Sequence, residues 1–521
     1  MQRMFAGVLC AVVLVCMVLL TGCGGQGLVT FTWQVEGMPT SLDPQLASNV
    51  CEKTAAAHLF RGLMKLDENG TPVPDCADTV EVSSDGLTYT FRLKDDLWFH
   101  SYDEEEFVAT EVTAEDFVFG LQRVFLPATE SPYAAELAGI AGSEAVLAGG
   151  DASQLGVTAP DSKTVQIRLS APDDTFLARL CTPGAMPCDK EFFESTRGAY
   201  GLGKSTLYTN GDFYLYNWAD EGVFLRRQDA PSGAVNNLRL VLADSTETLT
   251  GLALLDEEKQ SGVEMRGEIP EGYAAQRFEA TTWAMIFNTA NGDFSNLSIR
   301  QGIAQVLRDA LATELPGPLY STADGLIPQS MPMPDGGSHA GDAVPDFGDA
   351  ETLYRQGLSQ LGKTKLSDVT VLLPEDEEVA AAFETANQQL QRRLSAFFSV
   401  KQLPEEELEA VLESGEYQLV LLPLSSSEGD PAVFLGSLLG DGSVTRWQNA
   451  GLEQELSHNR TLPAADRTAP LLRMEQQIMN QAVAVPIWFE QTAFVTLKGW
   501  QDVIYSPFGP RLDVRSAVWN G

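Results

Sequence analysis

Positive charge is scarce in this chain. Its 521 residues hold 34 Lys and Arg against 72 Asp and Glu, a formal net charge of −38. That balance excludes a phosphate backbone as the main partner, because such binding needs clustered cations. It also disfavours direct adhesion to anionic lipid; most of the acid reads as solvated surface. Histidine is scarcer still, with His58, His100, His339 and His458 the four present. No HExxH and no Cys-x-x-Cys occurs, so no zinc or redox motif is present. No GxSxG occurs either. Carboxylates are too many for any pair to stand out as an acid/base dyad. The expectation is no enzyme, no metal and no cofactor.

One stretch fits a phosphate-loop formula, and its surroundings argue against the function. Gly198-Ala199-Tyr200-Gly201-Leu202-Gly203-Lys204-Ser205 matches GxxxxGK[ST]. The formula needs a strand before it and a helix after it, so that helix-terminal amides can hold phosphate. Here Phe192-Phe193-Glu194 reads as helix, and a Tyr-rich strand follows. The stretch is read as a loop.

The length exceeds one compact core and calls for two or three lobes. The first twenty-two residues stand apart: Arg3 is the only charge, and residues 4–20 are almost wholly apolar. Leu20-Thr21-Gly22-Cys23 follows and resembles a bacterial lipobox. The resemblance implies removal of residues 1–22 as a signal peptide and diacylglyceryl modification of Cys23. Two acyl chains would give stable anchoring on the extracytoplasmic face of the membrane. Seven cysteines are present; Cys10 and Cys16 leave with the signal segment. Of the remainder, Cys181 and Cys188 are the candidate disulfide, being close in sequence with turn residues around them; buried free thiols are the other reading.

The rest of the chain is organised around residues 41–99. Ser41-Leu42-Asp43-Pro44 reads as a turn entry, Pro fixing its own φ. Ala55, Leu59, Leu63 and Leu66 recur at helical spacing, and Asp67-Glu68-Asn69-Gly70 stops that helix. Val80 and Val82 alternate, Asp85-Gly86 turns the chain, and Tyr89, Phe91 and Leu93 alternate again, which is a hairpin signal. Further on, Thr113 and Asp116 form a capping box ahead of an apolar face. Ser298 and Gln301 read as another. Val379, Phe383, Ala386, Leu390, Leu394 and Phe397 mark a long amphipathic helix between two buried strands, at 369–373 and 417–422. Strand, helix, strand predicts parallel pairing.

These segments resemble the solute-binding proteins of the oligopeptide and dipeptide class of ABC importers (the peptide/nickel family 5). Ser41-Leu42-Asp43-Pro44, the helix ending Leu59-Phe60-Arg61-Gly62-Leu63, the turn at 67–74 and the hairpin at 80–93 follow its pattern in order. So do residues 112–118, 131–133, 283–288 and 484–489, so the likeness covers about residues 40–509. It implies an α/β, two-lobed fold of the periplasmic-binding-protein type, with an extra α+β subdomain and a hinge around a cleft. The implied division is 23–61, 201–282 and 486–521 for the core of lobe I, 62–200 for the extra subdomain, and 283–485 for lobe II. The implied function is a monomeric, lipid-anchored receptor that hands a peptide or other small solute to ABC permease and ATPase subunits. An oligosaccharide, opine or metal chelate is the alternative solute, and a surface sensor or adhesin the alternative role.

Site residues come from the resemblance alone. Two segments would line the cleft: Ser48-Asn49-Val50, and Leu424-Ser425-Ser426-Ser427 before Asp430-Pro431. Both would pair with an extended ligand backbone. The family holds a peptide's α-ammonium with an Asp at the position of Ser427. A hydroxyl cannot supply that ion pair, which leaves Glu428 as the substitute.

Overall fold

The computed structural model describes residues 28–521 except 36, 68–70, 103–106, 174, 228, 243–251, 253–254, 256–259, 338, 340–343, 367, 427–428, 461, 463 and 510. Strand β1 (Thr30–Val35) is followed by a turn around Pro44 and helix α1 (Val50–Leu59). The helix stops seven residues earlier than its periodicity predicts. Phe60 turns extended, and the chain makes a short ribbon from β2 (Met64–Leu66) and β3 (Pro72–Pro74). Leu63 is still buried, but Leu66 is 46 % exposed. The tie is local: the Arg61 amide donates to Asn210 Oδ1, and its guanidinium pairs with Asp75 at 2.7 Å.

The predicted hairpin is present as β4 (Ala77–Val82) and β5 (Thr88–Leu93), with Gly86 at φ 70° in its turn. A second ribbon, β6 (Trp98–Tyr102) and β7 (Phe107–Glu111), leads to helix α2 (Ala114–Phe125), capped by the Thr113–Asp116 box. Strands β8 (Val157–Asp161) and β9 (Thr164–Arg168) complete a sheet in the order β4-β5-β9-β8. Its alternating inward side chains and the apolar face of α2 form one core.

A second four-stranded sheet has the order β1-β12-β11-β10, from β10 (Tyr214–Ala219), β11 (Gly222–Arg226) and β12 (Asn237–Leu242). Strand β12 pairs parallel with β1 across more than two hundred residues of chain. Its core gathers Phe31, Trp33, Leu238 and Leu240 with the C-terminal Leu512 and Val514.

The third sheet holds seven strands. Its frame is two long antiparallel strands, β14 (Tyr273–Phe287) and β19 (Ala484–Leu497). Short β13 (Gly262–Met265) and β15 (Tyr320–Thr322) pair with β19. On the other side β18 (Leu419–Leu424) pairs with β14, and β16 (Thr370–Pro374) lies parallel to β18 and to β17 (Ser399–Leu403). Helices α3 (Leu297–Leu311) and α4 (Glu377–Leu394) cover this sheet. Asn296, not Ser298, caps α3, its side chain accepting from Ile299 N at 3.1 Å. Helix α4 ends where Ser395 goes left-handed, so Phe397 falls outside it and is 65 % exposed.

The candidate disulfide is corrected. Cys51, Cys76, Cys181 and Cys188 are all free thiols. Cys181 packs on the core of β4-β5-β9-β8, while Cys188 belongs to the core of β1-β12-β11-β10 beside Arg123. The two side chains face different interiors despite their closeness in sequence. Burial pushes both thiols up to about 12, so neither is a nucleophile at neutral pH.

Candidate functional site

Glu52 organises the first expected ligand segment. It is 2 % exposed and sits in the first turn of α1. One carboxylate oxygen accepts from the Thr40 amide at 2.9 Å and the Thr40 hydroxyl at 3.1 Å. The other accepts from the Ser48 amide at 2.8 Å, the Ser48 hydroxyl at 3.1 Å and the Asn49 amide at 3.3 Å. Asn49 in turn caps the helix by accepting from Glu52 N at 2.9 Å. Burial alone would raise this carboxyl. The backbone bonds from Ser48, Thr40 and Asn49 outweigh it and hold the group below its usual range.

The consequence is chemical. The amides of Ser48 and Asn49 are spent inside the chain, so neither is a spare donor for a ligand backbone in this conformation. Val50 opens the helix and is half-buried. Glu52→Ala is expected to leave several of these donors without an acceptor, at a cost of about 1–3 kcal/mol. Amide exchange at Thr40, Ser48 and Asn49 should accelerate together; unchanged protection would show that the loop is held by something else.

Next to this loop lies a cleft of about 480 Å³. Met38 and Pro39 form one wall, Leu202, Gly203 and Lys204 a second, and the β10–β11 turn with Trp218 and Asp220 a third. The loop that matches the phosphate formula therefore borders a cleft, but its secondary structure is wrong for phosphate. Helix Lys190–Ser195 precedes it, and only a three-residue turn, Lys204–Thr206, follows. Gly201 is required for another reason. It takes φ 76°, and a Cβ there would lie 2.5 Å from Asp43 N. Mg-ATP is accordingly expected to give no thermal shift; a saturable one would overturn the loop reading.

The second expected segment leaves β18. Leu424 is half-buried opposite Thr282 of β14, Ser425 is exposed and Ser426 half-buried. Ser427 and Glu428 lie outside the described residues. Asp430 caps the next short helix by accepting from Ala432 N at 2.8 Å, and it faces Arg467 at 3.6 Å and Arg460 at 3.9 Å. No hydrogen bond among the described residues joins Ser48–Val50 to Leu424 or Ser425. Among those residues no group of three or more His, Cys, Asp or Glu is placed to hold a metal.

Sequence reasoning missed two carboxylates. Glu52 was legible as the last residue of an Asn-x-x-Glu box. Glu490, buried at 1 % exposure in β19, had no signal, because its partners Trp283 and Arg266 are over two hundred residues away.

Residues 71–445 match the family model of bacterial extracellular solute-binding proteins, family 5 Middle. The oligopeptide-binding protein OppA of Bacillus subtilis is 22 % identical over 502 residues, 92 % of this chain and 91 % of that protein. The dipeptide-binding protein of Lactococcus lactis is 25 % identical over 454 residues, 80 % of each. The substrate-binding domain of an oligopeptide ABC transporter from Bacillus anthracis superposes with a TM-score of 0.69 at 21 % identity, covering 95 % of this chain and 99 % of that one. The fold is thus the two-lobed solute-binding fold.

Proposed function

Because the chain belongs to family 5 of the bacterial extracellular solute-binding proteins, whose members are transport receptors and not enzymes, we propose that it is the lipid-anchored receptor of an ABC importer for oligopeptides. In this reading the solute lies between the lobes, the hinge closes over it, and the closed form delivers it to the permease. The lobes are 23–61 with 201–282 and 486–521, bearing the extra subdomain 62–200, and 283–485. The observation that carries the reading is the match to family 5 over residues 71–445. The separate cores, with the long strands β14 and β19 running between two of them, support it. The names of the B. subtilis and L. lactis relatives favour a peptide. Cys23 anchors the chain through its lipid.

The position of Ser427 qualifies the solute. With no Asp there, Glu428 must meet a free α-ammonium, or the ligand must lack one. Mixed di- to octapeptide pools, with and without N-acetylation, separate these cases. The right solute is expected to stabilise the mature protein by about 2.7 kcal/mol at a hundredfold excess over Kd. It should also make the protein more compact in small-angle scattering. Binding that acetylation abolishes, yet survives Glu428→Gln, would move the amine site elsewhere. Silence towards peptides, sugars and chelates, with no compaction, would sink import and favour the sensor role.

A further inference from the structure

A buried carboxylate near the second ligand segment already holds a guanidinium. Glu490 of β19 is 1 % exposed. Its Oε2 accepts from the Trp283 indole Nε1 of β14 at 2.7 Å. Its Oε1 lies 2.6 Å from Arg266 Nε without the alignment of a hydrogen bond, and no other group among the described residues donates to it. Arg266 directly follows β13, the neighbour of β19 in the same sheet, and its side chain is 58 % exposed. One oxygen of Glu490 is thus fixed in the interior, and the other meets a side chain that reaches in from solvent.

The surroundings suit a cation. Tyr320 of β15 is the register partner of Glu490, and its ring centroid lies 6.4 Å from that of Trp283 and 6.0 Å from that of Trp488. Aromatic faces beside a carboxylate favour guanidinium or ammonium over a neutral group. On the far side of β14, Pro423 of β18 is the register partner of Trp283, so their side chains share a face of the sheet. Pro423 is exposed, and so is Ser425 of the second ligand segment. Thr281 of β14 pairs with Glu490, and Thr282 pairs with Leu424. The segment therefore leaves β18 two strand spacings, ~10 Å, from Glu490.

We propose that Glu490 is the floor of a subsite for a guanidinium or ammonium group carried by the solute, and that Arg266 is the chain's own occupant, which the solute's cation displaces. A carboxylate this buried needs a cation. Arg266 supplies one while a long, exposed side chain is held in place. A solute already bound by its backbone presents its cation intramolecularly, at high effective concentration. The net charge of −38 adds long-range attraction for a cationic solute. On the receptor reading above, on which this rests, the solute class is a peptide with Lys or Arg, its α-ammonium being a separate contact.

The first test needs no peptide. Propylguanidinium is added to the Arg266→Ala protein at constant ionic strength while Tm is followed. A saturable rise is expected, because a cation that binds the native state stabilises it. The wild type, with Arg266 in place, should need a concentration about tenfold higher or more, the scale of one charge-assisted hydrogen bond. Propylurea, neutral and of similar shape, should do nothing. Arg266→Ala combined with Glu490→Gln should lose the response; if that variant fails to fold, the propylurea control carries the same decision. No saturable rise in Arg266→Ala, or an equal one with propylurea, overturns the subsite and leaves a closed ion pair. Peptide pools containing Lys or Arg are then compared with the same pools containing norleucine. The wild type should prefer the basic pool by about tenfold or more. Arg266→Ala should widen that preference, and Glu490→Gln should erase it while neutral peptides still bind. No preference in the wild type, or one undiminished in Glu490→Gln, refutes Glu490 as a solute contact. A response to propylguanidinium in a protein that binds no peptide would refute the peptide and keep the cation subsite.

Discussion

Arg123→Ala is expected to cost about 3–5 kcal/mol of stability, the ordinary result of removing one member of a buried ion pair. The side chains of Arg123 and Asp43 are 4 % and 3 % exposed. The guanidinium donates to both Asp43 oxygens, Nη1 to Oδ1 at 3.2 Å and Nη2 to Oδ2, and Nη1 also donates to Gln45 Oε1 at 2.6 Å. It lies 4.1 Å from the centroid of the Phe193 ring. Without it, Asp43 keeps only neutral donors such as Gln45 N, and a carboxylate is left charged in the interior. The pair joins α2 to the turn before α1, so two cores should loosen together. Urea unfolding measures the loss. Arg123→Met combined with Asp43→Leu should lose clearly less than Arg123→Ala, because no charge is then stranded. A loss below about 1 kcal/mol in Arg123→Ala, the range of a surface pair, would show that water reaches the site.

Cys23→Ser is expected to transfer the protein from the membrane fraction to the supernatant. Cys23 lies outside the described residues. No helix among the described residues is long and apolar enough to cross a membrane. A net charge of −38 gives no attraction to anionic lipid. In the proposed reading the acyl chains on Cys23 are the anchor, at about 0.8 kcal/mol per buried CH₂. The Ser variant cannot carry a thioether-linked lipid. Retention of that variant in the membrane after a high-salt wash would refute the lipobox reading and point to residues 4–20 as an uncleaved span. A serine variant that is released but still binds solute would separate anchoring from recognition.

Local chemistry made much of the fold legible. The Asp85-Gly86 turn, the Thr113–Asp116 box, the alternation at Tyr89, Phe91 and Leu93 and the strands at 370–374 and 419–424 all depend on residues a few positions apart, whereas the strand at 399–403 and the helix at 405–414 between them were not read. Periodicity failed where distant partners decided the backbone. The helical spacing through Leu66 was broken because Arg61 is tied to Asn210 and Asp75, and Cys181 and Cys188 stayed apart because two cores claim them. At the site, sequence marked the segment around Ser48 through resemblance. It could not show that Glu52 already occupies that segment's amides.

The sequence by itself determined the acidic charge, the absence of metal and nucleophile motifs, the N-terminal leader pattern and the order of turns and caps, since composition and short-range spacing are enough for each. Only the tertiary structure decided that Asp43 is a buried partner of Arg123, that Gly201 is needed by the backbone of Asp43 rather than by phosphate, and that Glu490 meets Trp283 and Arg266 between the two register shifts of β14 and β19. Each of those is a contact between groups far apart in the chain. Its energy comes from removing charges and backbone from water together, which no local pattern records.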